Sequence, residues 1–170
     1  GYGAGAGGYN NKLYFFGCNG DFDQLNIYDI DTDQWTQHSD QGVFFFDYNA
    51  AAVDSERGGL LIINSSQAHY WDLDTLSVRS VSAPPGYEQC LEYDPSRDAF
   101  VTLGGSSLYE LDAAALKAGS SPSWSTRSIS GLSVSGLEAA GTFGRFRYSS
   151  YLGGLVLVPN SDSNMWFIKS

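Results

Sequence analysis

Proton transfer near neutral pH asks first for a histidine, and the chain offers two, His38 and His69. His69 stands in QAHYW, at the head of an aromatic run. There it could act as a base in a lyase or hydrolase, or sit as a hydrogen-bonded structural histidine beside Tyr70 and Trp71. His38 lies in the polar stretch TQHSD and reads as solvated. Arg145 and Arg147 in GRFRY stand two residues apart, so on a strand they point to the same side. Such a pair suits a carboxylate or sulfate of an acidic sugar. Two further runs place oxygen ligands at alternate positions, Asn19, Asp21 and Asp23, and Asn160, Asp162 and Asn164. Alternating oxygens can converge on calcium, although neither run has the glycine and distal glutamate of an EF-hand. Calcium is the one cofactor the sequence suggests, and Asn/Asp-rich turns need none.

The elements that must carry these residues are short. Apolar runs of four to seven residues, such as LYFF, LLII, AFVTL and LVLV, are bounded by Gly, Asn, Asp, Ser and Pro. Tyr, Phe, Trp, Val and Ile dominate them, which favours strands. The helical exception is DAAALKAG, with an Asp cap and a terminal Gly. The net charge is −10, with a sequence pI near 4.3, so the basic footprint of a nucleic-acid binder is missing and an anionic membrane surface is a poor partner. Cys18 and Cys90 permit one disulfide that nothing in their spacing demands, and buried thiols are the simpler reading. No signal-peptide pattern opens the chain, as in a mature secreted protein or an excised fragment.

The strands repeat at roughly forty-residue intervals. The second apolar run of each unit aligns Leu13, Leu60, Phe100 and Leu155; the third aligns Tyr28, Trp71, Tyr109 and Phe167. Turns recur in order, with DSERGG and DPSRDA after the first strand and YDID, WDLD and YELD in the third. Each unit is therefore expected to be a four-stranded antiparallel meander. A lone meander leaves two apolar faces, and stacking such units around an axis buries them, which is the β-propeller solution. The expected fold is all-β: one propeller, or part of one, over residues 1–170. Blade 1 spans about 1–40, blade 2 about 44–83, blade 3 about 87–130, and an incomplete blade 4 about 144–170, lacking its fourth strand.

The string YNNKLYFFGCNGDFDQLNIYDIDTDQW, residues 9 to 35, resembles a kelch repeat of the galactose-oxidase type. Kelch units place a diglycine after the second strand. Gly104 and Gly105 keep it, whereas Cys18, Asn64–Ser65 and Pro159–Asn160 depart from it. The expected fourth-strand Trp is Trp35 and Trp124, and Val78 in the second unit. The resemblance implies that the second-to-third-strand loops and the blade connections share the ligand-binding end of a central channel. Tyr48, Tyr87 and Glu88 precede first strands and would complete a pocket there with His69, Arg145 and Arg147. Arg147 has a second reading, an ion pair with Glu92, its counterpart one blade earlier.

A copper-radical oxidase needs two His and Tyr ligands with one Tyr linked to a Cys, and neither Cys18 nor Cys90 shows such a constellation; proper sialidase Asp boxes are missing, and no GxSxG, P-loop or HExxH occurs. The expectation is a secreted binding or scaffold module, extracellular or periplasmic, for carbohydrate or protein. Its ring would be completed by missing upstream blades or by a second protein chain supplying a strand. The alternative is a polysaccharide lyase with its site at the channel mouth, using His69, Tyr87 and Arg145.

Overall fold

The structure, a computed structural model, describes residues 6–18, 21–38, 49–86, 90–131, 145–159, 162 and 164–170; the side chains of residues 6, 17, 18 and 21–23 are left aside. Blade 1 contains β1 (Ala6–Tyr9), β2 (Lys12–Cys18), β3 (Asp21–Asp29) and β4 (Gln34–His38). Blade 2 contains β5 (Ala50–Asp54), β6 (Gly59–Ile63), β7 (Ala68–Asp72) and β8 (Ser77–Val81). Blade 3 contains β9 (Glu92–Asp94), β10 (Ala99–Gly104), β11 (Ser107–Asp112), the short helix α1 (Ala113–Lys117) and β12 (Ser125–Ser128). Blade 4 has three strands, β13 (Phe146–Ser149), β14 (Gly154–Leu157) and β15 (Trp166–Lys169). Each sheet is an antiparallel meander in sequence order, and the four form a four-blade β-propeller.

Turn chemistry explains the hairpins. Asn10 and Asn11 both take positive φ between Tyr9 and Lys12, the two-residue connection whose twist suits a hairpin. Asp29, Asp54 and Asp72 each end a strand, and Oδ1 of each accepts the backbone N–H groups two and three residues on, at 2.9–3.2 Å. Asp112 does the same for α1, accepting from Ala115 N at 2.8 Å. The recurring aspartate is thus a turn former, which holds peptide donors that would otherwise compete with the strand ladder.

The core is a series of inter-blade layers. Tyr14, Phe16, Leu25 and Ile27 of blade 1 meet Leu60, Ile62, Trp71 and Leu73 of blade 2. Leu61, Ile63, Ala68 and Tyr70 on the other face of blade 2 meet Tyr93, Phe100, Leu111 and Leu116 of blade 3. Val101, Leu103 and Leu108 meet Phe146, Leu155, Leu157 and Ile168 of blade 4. Because consecutive strand residues point to opposite faces, a near-continuous apolar run such as Leu60–Ile63 serves two layers at once. The inner strands follow one another: β1 packs on β5, β5 on β9 and β9 on β13. Among the described residues no comparable contact returns from β13 to β1. A Cβ at Gly7 would lie 2.6 Å from Val53 Cβ, so the small residues of the first strand let β1 approach β5.

The pairing corrects the third-strand alignment. Leu13 pairs with Tyr28 and Leu60 with Trp71, but Phe100 pairs with Leu111 and Leu155 with Ile168. Tyr109 is therefore two residues out of register and keeps its face. Phe167 is one residue out and turns to the opposite face, 47% exposed against 4% for Ile168.

Candidate functional site

The inner strands bring one charged pair to the axis. Arg147 on β13 and Glu92 on β9 occupy matching positions, Arg147 opposite Val156 and Glu92 opposite Val101. The guanidinium Nη1 lies 3.1 Å from Glu92 Oε2, with the Arg147 side chain 55% exposed and that of Glu92 16%. Burial pushes the Glu92 carboxyl up to about 7, against the opposing pull of Arg147. A carboxylic acid that changes charge near neutral pH beside a solvent-facing guanidinium can hold an anion, exchange a proton, or do both. Arg145 lies just before β13, at the loop end of the same strand, where its carbonyl accepts from Val158 N at 2.9 Å.

The remaining candidates are dispersed. His69 pairs with Ile62 and Ser80 on β7, so its side chain shares the blade 1-facing side of blade 2 with Ile62 and Trp71. Burial lowers its pKa. It lies on a third strand two blades from the arginines, with blade 3 between. The loop before it is closed on itself: Asn64 Oδ1 accepts from Ser66 N and Gln67 N, at 2.9 and 2.8 Å. Tyr48, Tyr87, Glu88, Asn19 and Asn160 lie outside the described residues. Asp21 and Asp23 fall on the β3 backbone, while Asp162 and Asn164 are exposed. Among the described residues no group of three or more His, Cys, Asp or Glu side chains gathers as a metal site would require.

A second polar cluster, at the opposite end of the inner strands, escaped the sequence reading. Arg57 Nη2 reaches Asp98 Oδ2 at 2.7 Å across blades 2 and 3, and its Nη1 donates to Tyr93 Oη at 3.1 Å. Tyr93 in turn donates to Glu56 Oε2 at 3.2 Å. Glu56 and Arg57 belong to DSERGG and Asp98 to DPSRDA, with Tyr93 just before it, and the turn-forming character of these strings masked the charges between them. Nearby, Lys117 of α1 meets Asp72 at 3.0 Å and Asp74 at 2.7 Å. Burial pulls the ammonium down, but the two carboxylates outweigh it and hold its pKa above the ordinary lysine value. Both clusters tie neighbouring blades together at the turn end.

No family model matches the sequence, and no curated protein matches it. Solved structures do match in shape. Dihydro-heme d1 dehydrogenase NirN in complex with DHE aligns with a TM-score of 0.57 at 16% identity, over 89% of this chain and 31% of that one. TolB from Acinetobacter baumannii aligns at 0.52 and 20% identity, over 92% and 37%. The extracellular domain of a putative hybrid two-component system from B. thetaiotaomicron aligns at 0.51 and 9% identity, over 97% and 22%. At these identities the likeness is one of fold. The chain spans roughly a fifth to two-fifths of the lengths of the chains it matches. Among the described residues no helix is long and apolar enough to cross a membrane.

Proposed function

We propose that this chain is a kelch-like propeller module that binds an acidic ligand, a uronate-bearing carbohydrate or an acidic protein segment, at the loop-end mouth of its channel. The observation that carries this reading is the Glu92–Arg147 pair: a half-exposed guanidinium on an innermost strand, backed by a carboxyl that is 16% exposed. A ligand carboxylate can share the exposed side of Arg147 while Glu92, which takes up a proton as the pH falls through about 7, gives up its claim on the cation. Arg145, two residues nearer the loops, extends the positive ground on an otherwise acidic molecule. The setting is extracellular or periplasmic, as in the neighbour described as an extracellular domain. Further blades or a second chain complete the ring.

Binding rather than lysis is favoured because His69, the histidine proposed as base, lies two blades from the arginines. Titration calorimetry with oligogalacturonate and with a neutral glucan of equal length tests the assignment. Saturable binding of the uronate alone, weakened at least about tenfold by Arg147→Ala, is the expected result. Absorbance growth from unsaturated ends in the same mixture would favour the lyase, and equal affinity for both oligosaccharides would remove the acidic-ligand reading.

A further inference from the structure

The two outer blades leave partly or largely exposed a set of apolar positions whose counterparts on blade 2 are mostly buried. On blade 2, Leu60, Ile62, Trp71 and Leu73 face the preceding blade and are 0–5% exposed. The strand pairings make Leu13, Phe15, Tyr28 and Ile30 their counterparts on blade 1, with Trp35 in the place of Val78. Nothing among the described residues packs on that face: Trp35 is 60% exposed and Ile30 49%. Phe15, Tyr28 and Trp35 form an aromatic platform there, with ring centroids 5.4 and 5.1 Å from that of Trp35. At the other end of the series of blades, Val156, Met165 and Phe167 of blade 4 stand where blade 2 has Leu61, Ala68 and Tyr70. Those three are buried against blade 3, whereas Met165 is 62% exposed and Phe167 47%.

The charges at the two faces are also complementary. In the blade 2–blade 3 interface, Asp72 at the end of β7 meets Lys117 in the connection that follows β11, at 3.0 Å. Lys169 occupies the Asp72 position in blade 4, opposite Gly154 as Asp72 is opposite Gly59. The matching connection in blade 1 carries Asp31 and Asp33, both exposed. The internal pair recurs at the outer faces with its signs exchanged.

We infer that the open face of blade 1 docks on the open face of blade 4 of a second copy of this chain, head to tail. Trp35 and Phe167 sit near the centre of that contact, and Lys169 meets Asp31 and Asp33 at its edge. The contact continues the blade-on-blade packing already present three times within the chain. It is heterologous, so each copy uses both faces and successive copies close a ring or extend a fibre. The inference deepens the reading of a ring completed by a second chain, and it is independent of whether the channel mouth binds uronates.

Sedimentation equilibrium from about 1 to about 100 µM spans the range in which an interface of standard size associates. The expected result is a concentration-dependent species of twice 18.4 kDa or a higher multiple. Trp35→Asp and Phe167→Asp each leave a folded monomer by circular dichroism, with self-affinity reduced at least about tenfold. An equimolar mixture of the two variants regains a heterodimer, because each contributes the face that the other has lost. Lys169→Glu weakens assembly, and the Asp31→Lys, Asp33→Lys pair restores it. A monomer throughout the range, assembly unaffected by both aspartate variants, or a mixture that stays monomeric would each overturn the inference. A folded monomer that still binds oligogalacturonate would overturn it while leaving the channel-mouth reading intact.

Discussion

The Glu92 carboxylate and the Arg147 guanidinium lie 3.1 Å apart across the boundary between blades 3 and 4, on strands that line the axis. Burial raises Glu92 from 4.5 to about 7, so the folded state holds that proton more tightly than the unfolded chain does. The stability this contributes is fully present below pH 4.5 and is lost as the pH rises through about 7. Glu92→Gln should flatten that part of the stability–pH curve by up to about 3 kcal/mol. Urea melts of both proteins at half-unit steps, read as a difference, measure it. Equal slopes would show that Glu92 titrates as an ordinary carboxyl.

Asp54 is fully buried at the head of the β5–β6 turn, accepting from Glu56 N and Arg57 N and lying 3.6 Å from Arg57 Nη1. Asp54→Ala should cost about 2–4 kcal/mol, since two turn N–H groups and a guanidinium lose their acceptor. Asp54→Asn keeps one oxygen in place and should recover at least half of the loss. Chemical denaturation of the pair separates turn closure from the ion pair.

Trp71 fills the layer between blades 1 and 2 at 0% exposure, and its Nε1 meets no acceptor among the described residues. Trp71→Ala should therefore cost about 3–5 kcal/mol through the cavity it leaves. Trp71→Phe removes the unpaired donor with part of the volume and should cost less than half as much. If the two variants melted together, the indole nitrogen would have to be bonded.

Gly104 lies against the backbone of the connection from blade 2 to blade 3: a Cβ there would stand 2.7 Å from Gly86 Cα and 2.8 Å from Gly86 C. Neither backbone atom can swing aside as a side-chain tip can. Gly104→Ala should destabilise by roughly 1–3 kcal/mol, while Gly8→Ala, whose nearest contact would be 3.6 Å away, should cost much less. Thermal melts of both variants supply the comparison.

The sequence was most informative where structure is local. The aspartate turns, the α1 cap at Asp112 and the apolar second strands could be read because each depends on residues a few positions apart. The third-strand register could not be read by likeness. YELD imitates YDID in chemistry, but the two-residue connection at Gly105–Ser106 makes Leu111, not Tyr109, the partner of Phe100. Phe167 misled for a similar reason, since an aromatic next to a smaller apolar residue drew the alignment one place off. Arg57–Asp98 and Glu92–Arg147 join residues 41 and 55 positions apart, and only the packing of adjacent blades brings them together. The carboxyl of Glu92 becomes chemically interesting through burial, a property with no local signature in CLEYD.

The succession of inter-blade layers also sets how the molecule opens. Among the described residues, blades 2 and 3 are gripped on both faces, whereas blades 1 and 4 each share one layer with a neighbour. With nearest-neighbour coupling of this kind, partial unfolding starts at the ends and moves inward. Amide protons of β6 and β10 should then exchange only with global unfolding, and those of β4 and β15 well before it. A partner seated on either outer blade would slow exchange from that end, so a deuterium-uptake map reports which face is occupied.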